Sequence, residues 1–523
     1  MGADPPRSER STPQGDSGLH LLARARRMAP SAPDGSLVRD LIDGLSVEEV
    51  VARRGVAAAA VEGIRGFYDN LEQGPQVCDG TACHFAGGDT LAVHLERGTG
   101  IVRVRCLGHC YAAPSFRSGE AVYARPRHMD VEGWVAQWGE TGEPAQALSP
   151  VPRRALVETP VVLRNLLRAG RDAPLEDYDL PDGPAILAAV EAAGLRGRGG
   201  AAFPTAAKWK VARDAPGSER YVVAHGDQGD PGSYADRLLL EEDPHAVLAG
   251  MLACARSIGA RRGVVFVRVE YPRARQAVQA AIEQARAAGR LGREFDVELV
   301  VGSGVYVGGE ETAMLNAIQG LRGEPRPRPP YPAECGLHGL PTVVQHVETL
   351  AIVPWVVRTG RASVTKAVSL SGAIARPGVV EARLGTPLRQ VLEEGGGGAA
   401  EGSRWKLALV GGPHGRVVPV REFDVALSYD ALPGLGHAGI VVLDERAGVR
   451  ALAEHLFDYA RAESCGTCTP CRVGTSQLPY LETRAELEML LDTLELGSLC
   501  GFGRAVPRPI RDLIAHFGEE VFA

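Results

Sequence analysis

Eight of the ten cysteines in this chain fall into two close-spaced groups, and thiolates grouped in this way can hold iron or zinc. In the first group, Cys78-x4-Cys83 is followed after 22 residues by Cys106-x3-Cys110. Two close pairs suit a [2Fe–2S] cluster, in which each iron takes two cysteine sulfurs. The small residues inside the pairs, Asp79-Gly80-Thr81-Ala82 and Leu107-Gly108-His109, let backbone N–H groups reach sulfur. Four thiolates also suit zinc, but these spacings are looser than those of a zinc knuckle. The second group is Cys465-x2-Cys468-x2-Cys471 with a remote Cys500. Three thiolates on one turn and a distant fourth fit a [4Fe–4S] cube; a zinc site calls instead for two separate CxxC pairs. Cys254 sits in an apolar helical stretch and reads as a core thiol. Cys335, in a proline-rich loop, receives no role.

Between the groups runs a glycine-rich loop, Gly194-Leu195-Arg196-Gly197-Arg198-Gly199-Gly200, with Phe203, Lys208 and Trp209 after it. Glycines let the backbone approach a phosphate, and a helix beginning beyond the loop adds partial positive charge. Taken alone, such a loop is as often a flexible surface turn.

Elements must position these groups. Residues 1–35 read as poorly ordered and residues 36–72 as a small helical bundle, with Ser46 and Glu49 spaced as a capping box. Short strand-like runs, GIVRVRC and EAVYARP, surround the first cysteine group. A proline-rich boundary follows near 142–154. From 155 to about 355, strands (YVVAHG, GVVFVRV, FDVELVVG) alternate with helices, the pattern of an α/β sheet. Residues 366–445 are β-rich, with a turn at the four glycines 395–398, and from 448 the chain is helical. The formal net charge of -7 and the lack of a basic block forecast no nucleic-acid binding. The polar N-terminus carries no signal-type apolar region, and no run approaches the roughly 18 apolar residues of a membrane span. The expectation is a soluble cytoplasmic chain without direct membrane insertion.

CDGTACHFAGG and CLGHCYAAP resemble the thioredoxin-like [2Fe–2S] subunit of respiratory complex I and of NAD-linked hydrogenases, with a shorter interval between the pairs than is usual there. ESCGTCTPCRVG and SLCGFG resemble the cluster motif of the FMN- and NADH-binding flavoprotein subunit of complex I. His225-Gly226-Asp227-Gln228-Gly229-Asp230-Pro231-Gly232, the stretch from Gly302 to Thr312, the segment around Arg328 and Tyr331, and Pro341–Thr349 follow the same family in order and spacing. The module also serves NAD-reducing hydrogenases and NAD-dependent formate dehydrogenases. The two resemblances cover nearly everything from residue 36 onward.

The resemblance implies a multidomain α/β and α+β architecture. Residues 36–140 would form a helical plus thioredoxin-like ferredoxin domain, and 155–360 an FMN- and NAD(H)-binding α/β domain. A β-grasp, SLBB-like module would occupy 365–445 and a helical [4Fe–4S] domain 446–523. Gly197, Gly199, Gly200 and Lys208 would hold the FMN phosphate, and Asp227, Gly309 and Glu310 would contact the flavin. Phe203, Asp230, Tyr306, Glu311, Arg328 and Tyr331 would shape the nicotinamide site, with Phe203 and Glu311 nearest the chemistry and Thr349 among the cofactor contacts. Aromatics and carboxylates suit a slot in which nicotinamide stacks on flavin.

The chain departs from the family at His225 (usually Asn), Gln228 (Glu), Gln345-His346 (an Asn pair), Val211 (an aromatic) and Arg328 (Lys). Two readings follow: a pocket that binds flavin or nucleotide in altered fashion, NADP included, or a flavin-free iron–sulfur relay. The intact glycine loop, Lys208 and Glu310-Glu311 favour the first. Both cluster domains on one chain point to a partner such as a hydrogenase or a molybdenum formate dehydrogenase subunit. Replacing Cys468 by Ser is expected to abolish the [4Fe–4S] EPR signal; an unchanged spectrum would remove Cys468 from the ligand set.

Overall fold

The computed structural model describes residues 37–42, 44–65, 68, 74–96, 100–125, 129–141, 150–168, 175–302 and 304–522. The segment expected to be poorly ordered, 1–35, lies outside them, as does most of the proline-rich boundary.

Three short helices, Leu37–Ile42, Val47–Arg54 and Ala58–Arg65, bury Leu41, Val47, Val50 and Val61 against one another. The capping box forms as expected: Ser46 N–H donates to Glu49 at 2.7 Å and Glu49 N–H to the Ser46 hydroxyl at 3.2 Å. A four-stranded sheet follows, built from β1 (Gln76–Cys78), β2 (Val102–Val104), β3 (Ser115–Ser118) and β4 (Ala121–Ala124). Its order is β2-β1-β3-β4, with β1 and β2 parallel and β3 and β4 antiparallel. This is the thioredoxin-like arrangement. Helices Gly88–Glu96 and Val131–Thr141 cover it through Leu91, Leu95, Val131 and Trp134, packed on Val77 and Phe116.

A short strand β5 (Arg153–Ala155) precedes the α/β region but does not join its sheet. That sheet consists of β6 (Tyr221–Gly226), β7 (Arg262–Arg268), β8 (Asp296–Gly302) and β9 (Thr342–His346), all parallel, in the order β8-β7-β6-β9. β6 and β9 are buried along their whole length, which accounts for their runs of valine without polar alternation. The long apolar stretch after β6 is two helices rather than one, Ala235–Glu242 and Pro244–Ile258, because Pro244 cannot continue the first but suits the opening of the second. The second of these lies so close to helix Val347–Thr359 that a Cβ on Gly250 would come within 2.0 Å of the Leu350 carbonyl oxygen.

The β-rich segment supplies β10 (Thr365–Gly372), β11 (Gly378–Arg383), β12 (Trp405–Val410), β13 (Arg416–Pro419) and β14 (Gly439–Asp444). With β5 added at one edge they form a six-stranded sheet in the order β13-β12-β14-β10-β11-β5. Residues that the sequence assigns to a boundary therefore lace this module to the rest of the chain. Five helices close the fold: Val449–Glu463, Thr469–Gly474, Arg484–Gly497, Gly501–Ala505 and Pro507–Phe517. Among the described residues, no helix is long and apolar enough to cross a membrane.

A buried carboxylate on β11 fastens the lacing. Glu381 accepts hydrogen bonds from the backbone N–H groups of Val161, Val162 and Leu163 at 2.7, 3.0 and 2.8 Å, and from the Thr365 hydroxyl at 2.6 Å. Glu381→Leu would leave three buried N–H groups without an acceptor, each costing about 1–3 kcal/mol. We expect a loss of at least about 3 kcal/mol in denaturant unfolding followed by tryptophan fluorescence; a loss below about 1 kcal/mol would show that water replaces the carboxylate.

Candidate functional site

Where β6 and β9 end side by side, the chain leaves β6 toward β7 and approaches β9 from the opposite side of the sheet. A parallel sheet opens a crevice at such a switch point, beyond the carboxyl ends of its strands. Here the crevice is a cavity of about 810 Å³. Gly197, Gly199, Phe203 and Lys208 line it from the glycine loop and the following helix; His225, Asp227 and Asp230 from the end of β6; Tyr306, Gly309, Glu310 and Glu311 from the turn after β8; Arg328 and Tyr331 from the proline-rich loop. Of the residues singled out in the sequence for this site, Gly200, Thr349 and, among the departures, Gln228 do not line it.

The loop is held as a tight hairpin. Gly197 N–H donates to Phe203 O at 2.9 Å, Thr205 N–H to Leu195 O at 2.9 Å, and Arg196 Nε to Ala202 O at 2.8 Å. The buried Arg198 anchors it from below, its N–H donating to the Thr349 hydroxyl at 2.9 Å and its guanidinium to Ser363 O at 2.8 Å. Gly200 requires its glycine: its φ is 106°, and a Cβ would meet Gly436 Cα at 3.2 Å. Helix Thr205–Asp214 starts at Pro204 without a side-chain cap, so its first turn keeps backbone N–H capacity for an anion. Lys208 projects from that first turn, pairing with the Glu311 carboxylate and donating to Val344 O at 3.1 Å. A lysine, free N–H groups and a glycine cradle fit a phosphate, and the half-exposed Phe203 and Tyr331, 53% and 54% accessible, offer flat faces at the mouth.

Carboxylates line the inner end. Glu310 caps helix Glu311–Ile318, accepting from Thr312 and Ala313 N–H at 3.0 and 2.9 Å, while Arg328 lies 3.7 Å from its other oxygen and over the Tyr331 ring. His225 donates from Nε2 to Gly309 O at 2.7 Å, tying β6 to the turn after β8. Asp227 is buried 3.6 Å from Arg268, whose guanidinium is already held by Glu270 at 2.7 Å; burial pushes the Asp227 carboxyl up to about 7 against the pull of Arg268. Asp230 is opposite in character. Burial raises it, but His437 and Tyr306 together hold it below the usual carboxylate range.

Three residues on the wall come from sequence remote from the nucleotide-site segments: His437, and Gly501 and Phe502 of the second cysteine motif; Val344, inside the Pro341–Thr349 stretch, also lines it, although the sequence assigns it no role. Gln345 and His346 line it as well; in the sequence they stand out only as departures from the family pattern. His346 Nε2 lies 2.6 Å from Asp236 Oδ2 without an aligned hydrogen bond, and burial pushes Asp236 up to about 6.

The two cysteine groups flank this cavity. Cys78, Cys83, Cys106 and Cys110 are all buried, with Cys106 and Cys110 Sγ 3.9 Å apart. Backbone N–H groups reach two of the sulfurs, Gly108 to Cys106 at 3.3 Å and Gly232 to Cys110 at 3.2 Å. Gly232 is two residues beyond the cavity-lining Asp230. At the other end, Cys500 directly precedes Gly501 and Phe502. Leu499 N–H points at Cys468 Sγ at 3.5 Å, and the Ser464 hydroxyl lies 3.3 Å from Cys471 Sγ. Cys465 packs with Val307 and Ala313, the first of which lines the cavity. Burial pushes the Cys471 thiol up to about 12, with the neighbouring cysteines adding to the shift; a bound metal ion would reverse this by taking the thiolate. The remaining thiols fall as the sequence suggests: Cys254 is fully buried in its helix and Cys335 is exposed.

Family models match three stretches: Nuo51 FMN-binding domain over residues 190–355, SLBB domain over 367–420, and NADH-ubiquinone oxidoreductase-F iron-sulfur binding region over 451–523. The HndC component of the NADP-reducing hydrogenase of Solidesulfovibrio fructosivorans is 37% identical over 367 residues, covering 64% of this chain and 75% of the relative. An F-type chain of the NADH-quinone oxidoreductase of Rhizobium meliloti is 36% identical over 370 residues, covering 65% of this chain and 88% of the relative. A chain of the NAD+-reducing [NiFe]-hydrogenase in its H2-reduced state superposes with a TM-score of 0.82 at 29% identity, covering 94% of this chain and 92% of that one. With an FMN-binding domain, an SLBB domain and a 4Fe–4S region in this order, the chain belongs to the oxidoreductase family of the F-type chains of NADH-quinone oxidoreductase and their hydrogenase counterparts.

Proposed function

We propose that this chain exchanges electrons between a nicotinamide dinucleotide and a separate catalytic redox subunit, through FMN in the cavity and one iron–sulfur cluster on each side of it. The observation that carries the reading is the placement of the cavity: its wall runs within two residues of a sulfur-bonded backbone at Cys110 and directly into Cys500. Bound FMN supplies the conversion between hydride and single electrons. The protein's part is to hold and orient. Gly197, Gly199, Lys208 and the first turn of helix Thr205–Asp214 hold the phosphate, backed by Gly200, Arg198 and Thr349. Asp227, Gly309 and Glu310 bound the ring, and Phe203, Asp230, Tyr306, Glu311, Arg328 and Tyr331 shape the nucleotide slot. Cys78, Cys83, Cys106 and Cys110 ligate [2Fe–2S]; Cys465, Cys468, Cys471 and Cys500 ligate [4Fe–4S].

The partner proposed is a hydrogenase-type catalytic subunit, with a molybdenum formate dehydrogenase as the other member of the class. The structural likeness supports this: a chain of an NAD+-reducing hydrogenase superposes over 94% of this one, including the first cysteine domain, which lies outside the stretches the family models match. The cavity stays open although His225, Gln345 and His346 line it, which supports retained flavin over a flavin-free relay.

Anaerobically purified chain is expected to release close to one FMN on acid treatment, and NADH is expected to develop the EPR signals of both reduced clusters. Full iron with no flavin and no reduction by NADH would contradict the proposal. Lys208→Ala removes a charge-assisted contact worth about 1.5–3 kcal/mol, so FMN should bind about 10- to 100-fold more weakly, by fluorescence titration, with the iron content unchanged. An unaltered affinity would place the phosphate elsewhere.

A further inference from the structure

Three histidines meet in the cavity wall from three separate segments: His225 at the end of β6, His346 at the end of β9, and His437 in the loop before β14. The rings of His437 and His346 stack, with centroids 4.7 Å apart and planes at 20°; His225 lies 5.8 Å from His346 and 6.4 Å from His437. His437 Nδ1 bonds to Asp230 Oδ2, and Asp230 Oδ1 accepts from the Tyr306 hydroxyl at 2.7 Å. Both carboxylate oxygens are thus engaged, and Asp230 fixes the ring. In its neutral form His437 carries its proton on Nδ1, toward the carboxylate, and Nε2 holds the free lone pair, as in any carboxylate–imidazole dyad that serves as a base.

Resting on the function proposed above, we propose that the Asp230–His437 dyad takes up the proton left when a hydride from the reduced nicotinamide is divided into two electrons. The balance is simple. A C–H bond of the nicotinamide breaks and the dinucleotide is oxidised; two electrons pass one at a time to the iron–sulfur centres, which are reduced. One proton remains, forms an N–H bond with His437 Nε2, and leaves to water. In the reverse direction the imidazolium returns it.

The surroundings single out this ring. Facing it are Asp230 from the loop after β6, Asp236 from helix Ala235–Glu242, His225 from β6, His346 from β9 and Lys366 from β10, with Tyr306 and His414 on the far side of Asp230. Burial disfavours its imidazolium, but the Asp230 and Asp236 carboxylates outweigh burial and Lys366, and the pKa of His437 lies above the ordinary histidine value. Burial holds His225 and His346 below theirs. Of the three rings, only His437 is both held by a carboxylate through Nδ1 and shifted toward its protonated form.

Three measurements on the full chain test this. With ring-labelled histidine, NMR should show one imidazole titrating above the ordinary range, absent in His437→Gln and lowered in Asp230→Asn. No such ring, or one that persists in His437→Gln, overturns the proposal. Kinetically, the dyad must be deprotonated to act, so turnover with a one-electron dye should fall as pH drops through its pKa. In His437→Gln that acidic limb should vanish and turnover fall about 100-fold, far more than the rate of flavin bleaching by NADH, with partial rescue by added imidazole. Bleaching that persists alongside wild-type turnover and an intact limb overturns the dyad alone, whereas a wild-type chain that NADH fails to bleach overturns the function above together with this inference. Should His437→Gln lose its flavin, the wild type decides: a solvent deuterium effect on turnover but not on bleaching is expected, and turnover insensitive to deuterium contradicts the proposal.

Discussion

Parallel pairing of β6 with β9 sets Ala224 opposite Gln345 and His225 opposite His346, at the point where the strand order, having run from β6 to β7 to β8, returns to the other side of β6 for β9. Everything at the site depends on that register. It opens the crevice, aims the turn at Asp227–Asp230 into it, and brings the glycine loop over one end through Arg198 and Thr349. A slip of one residue along β9 would turn His346 and the Val344 carbonyl away from the cavity and leave Lys208 without its backbone acceptor. The valine-rich, fully buried strands protect against such a slip, because either shift would break the packing on both faces of the sheet.

The same short turn after β6 serves two neighbours. Asp230 faces the cavity, and two residues later Gly232 presents its N–H to Cys110. Glycine suits that place: its φ is 100°, and the backbone passes close to β14, where a Cβ would come within 2.8 Å of Val441. The thioredoxin-like domain is therefore docked at the cavity's edge, reinforced where Arg237 donates to Gly108 O at 3.0 Å and where Gly108 lies against the Tyr271 ring, leaving no room for a Cβ. On the opposite side, Tyr306 packs on Phe502 and Tyr459, and Gly501 and Phe502, directly after Cys500, form part of the far wall. An electron carrier in the middle would have a short protein path to either side.

Much of this is legible in the residues. The strands YVVAHG, FDVELVVG and GIVVLD fall where period and valine content place them, and both cysteine groups can be read from spacing because thiolate ligation demands close pairs. Other features are not legible. The strand at Arg153–Ala155 is three residues long in a proline-rich stretch, and only its parallel partner β11 makes it a strand. His437 sits in a glycine-rich loop more than two hundred residues from Asp230, with no local pattern to mark it. Its meaning arises only when the third sheet brings that loop over the second. Thr349 looks from its motif like a direct contact, whereas the fold gives it the task of holding the loop from behind, a distinction that spacing does not carry.

The central claim is that one flavin site stands between two iron–sulfur sites on a single chain. An anaerobic crystal structure with anomalous data collected at the iron edge tests it most directly. The account predicts two iron peaks, one within Cys78, Cys83, Cys106 and Cys110 and one within Cys465, Cys468, Cys471 and Cys500, with flavin density in the cavity between Lys208 and His437. Iron at only one group, zinc in place of iron at either, or a cavity that stays empty in FMN-soaked crystals would contradict it.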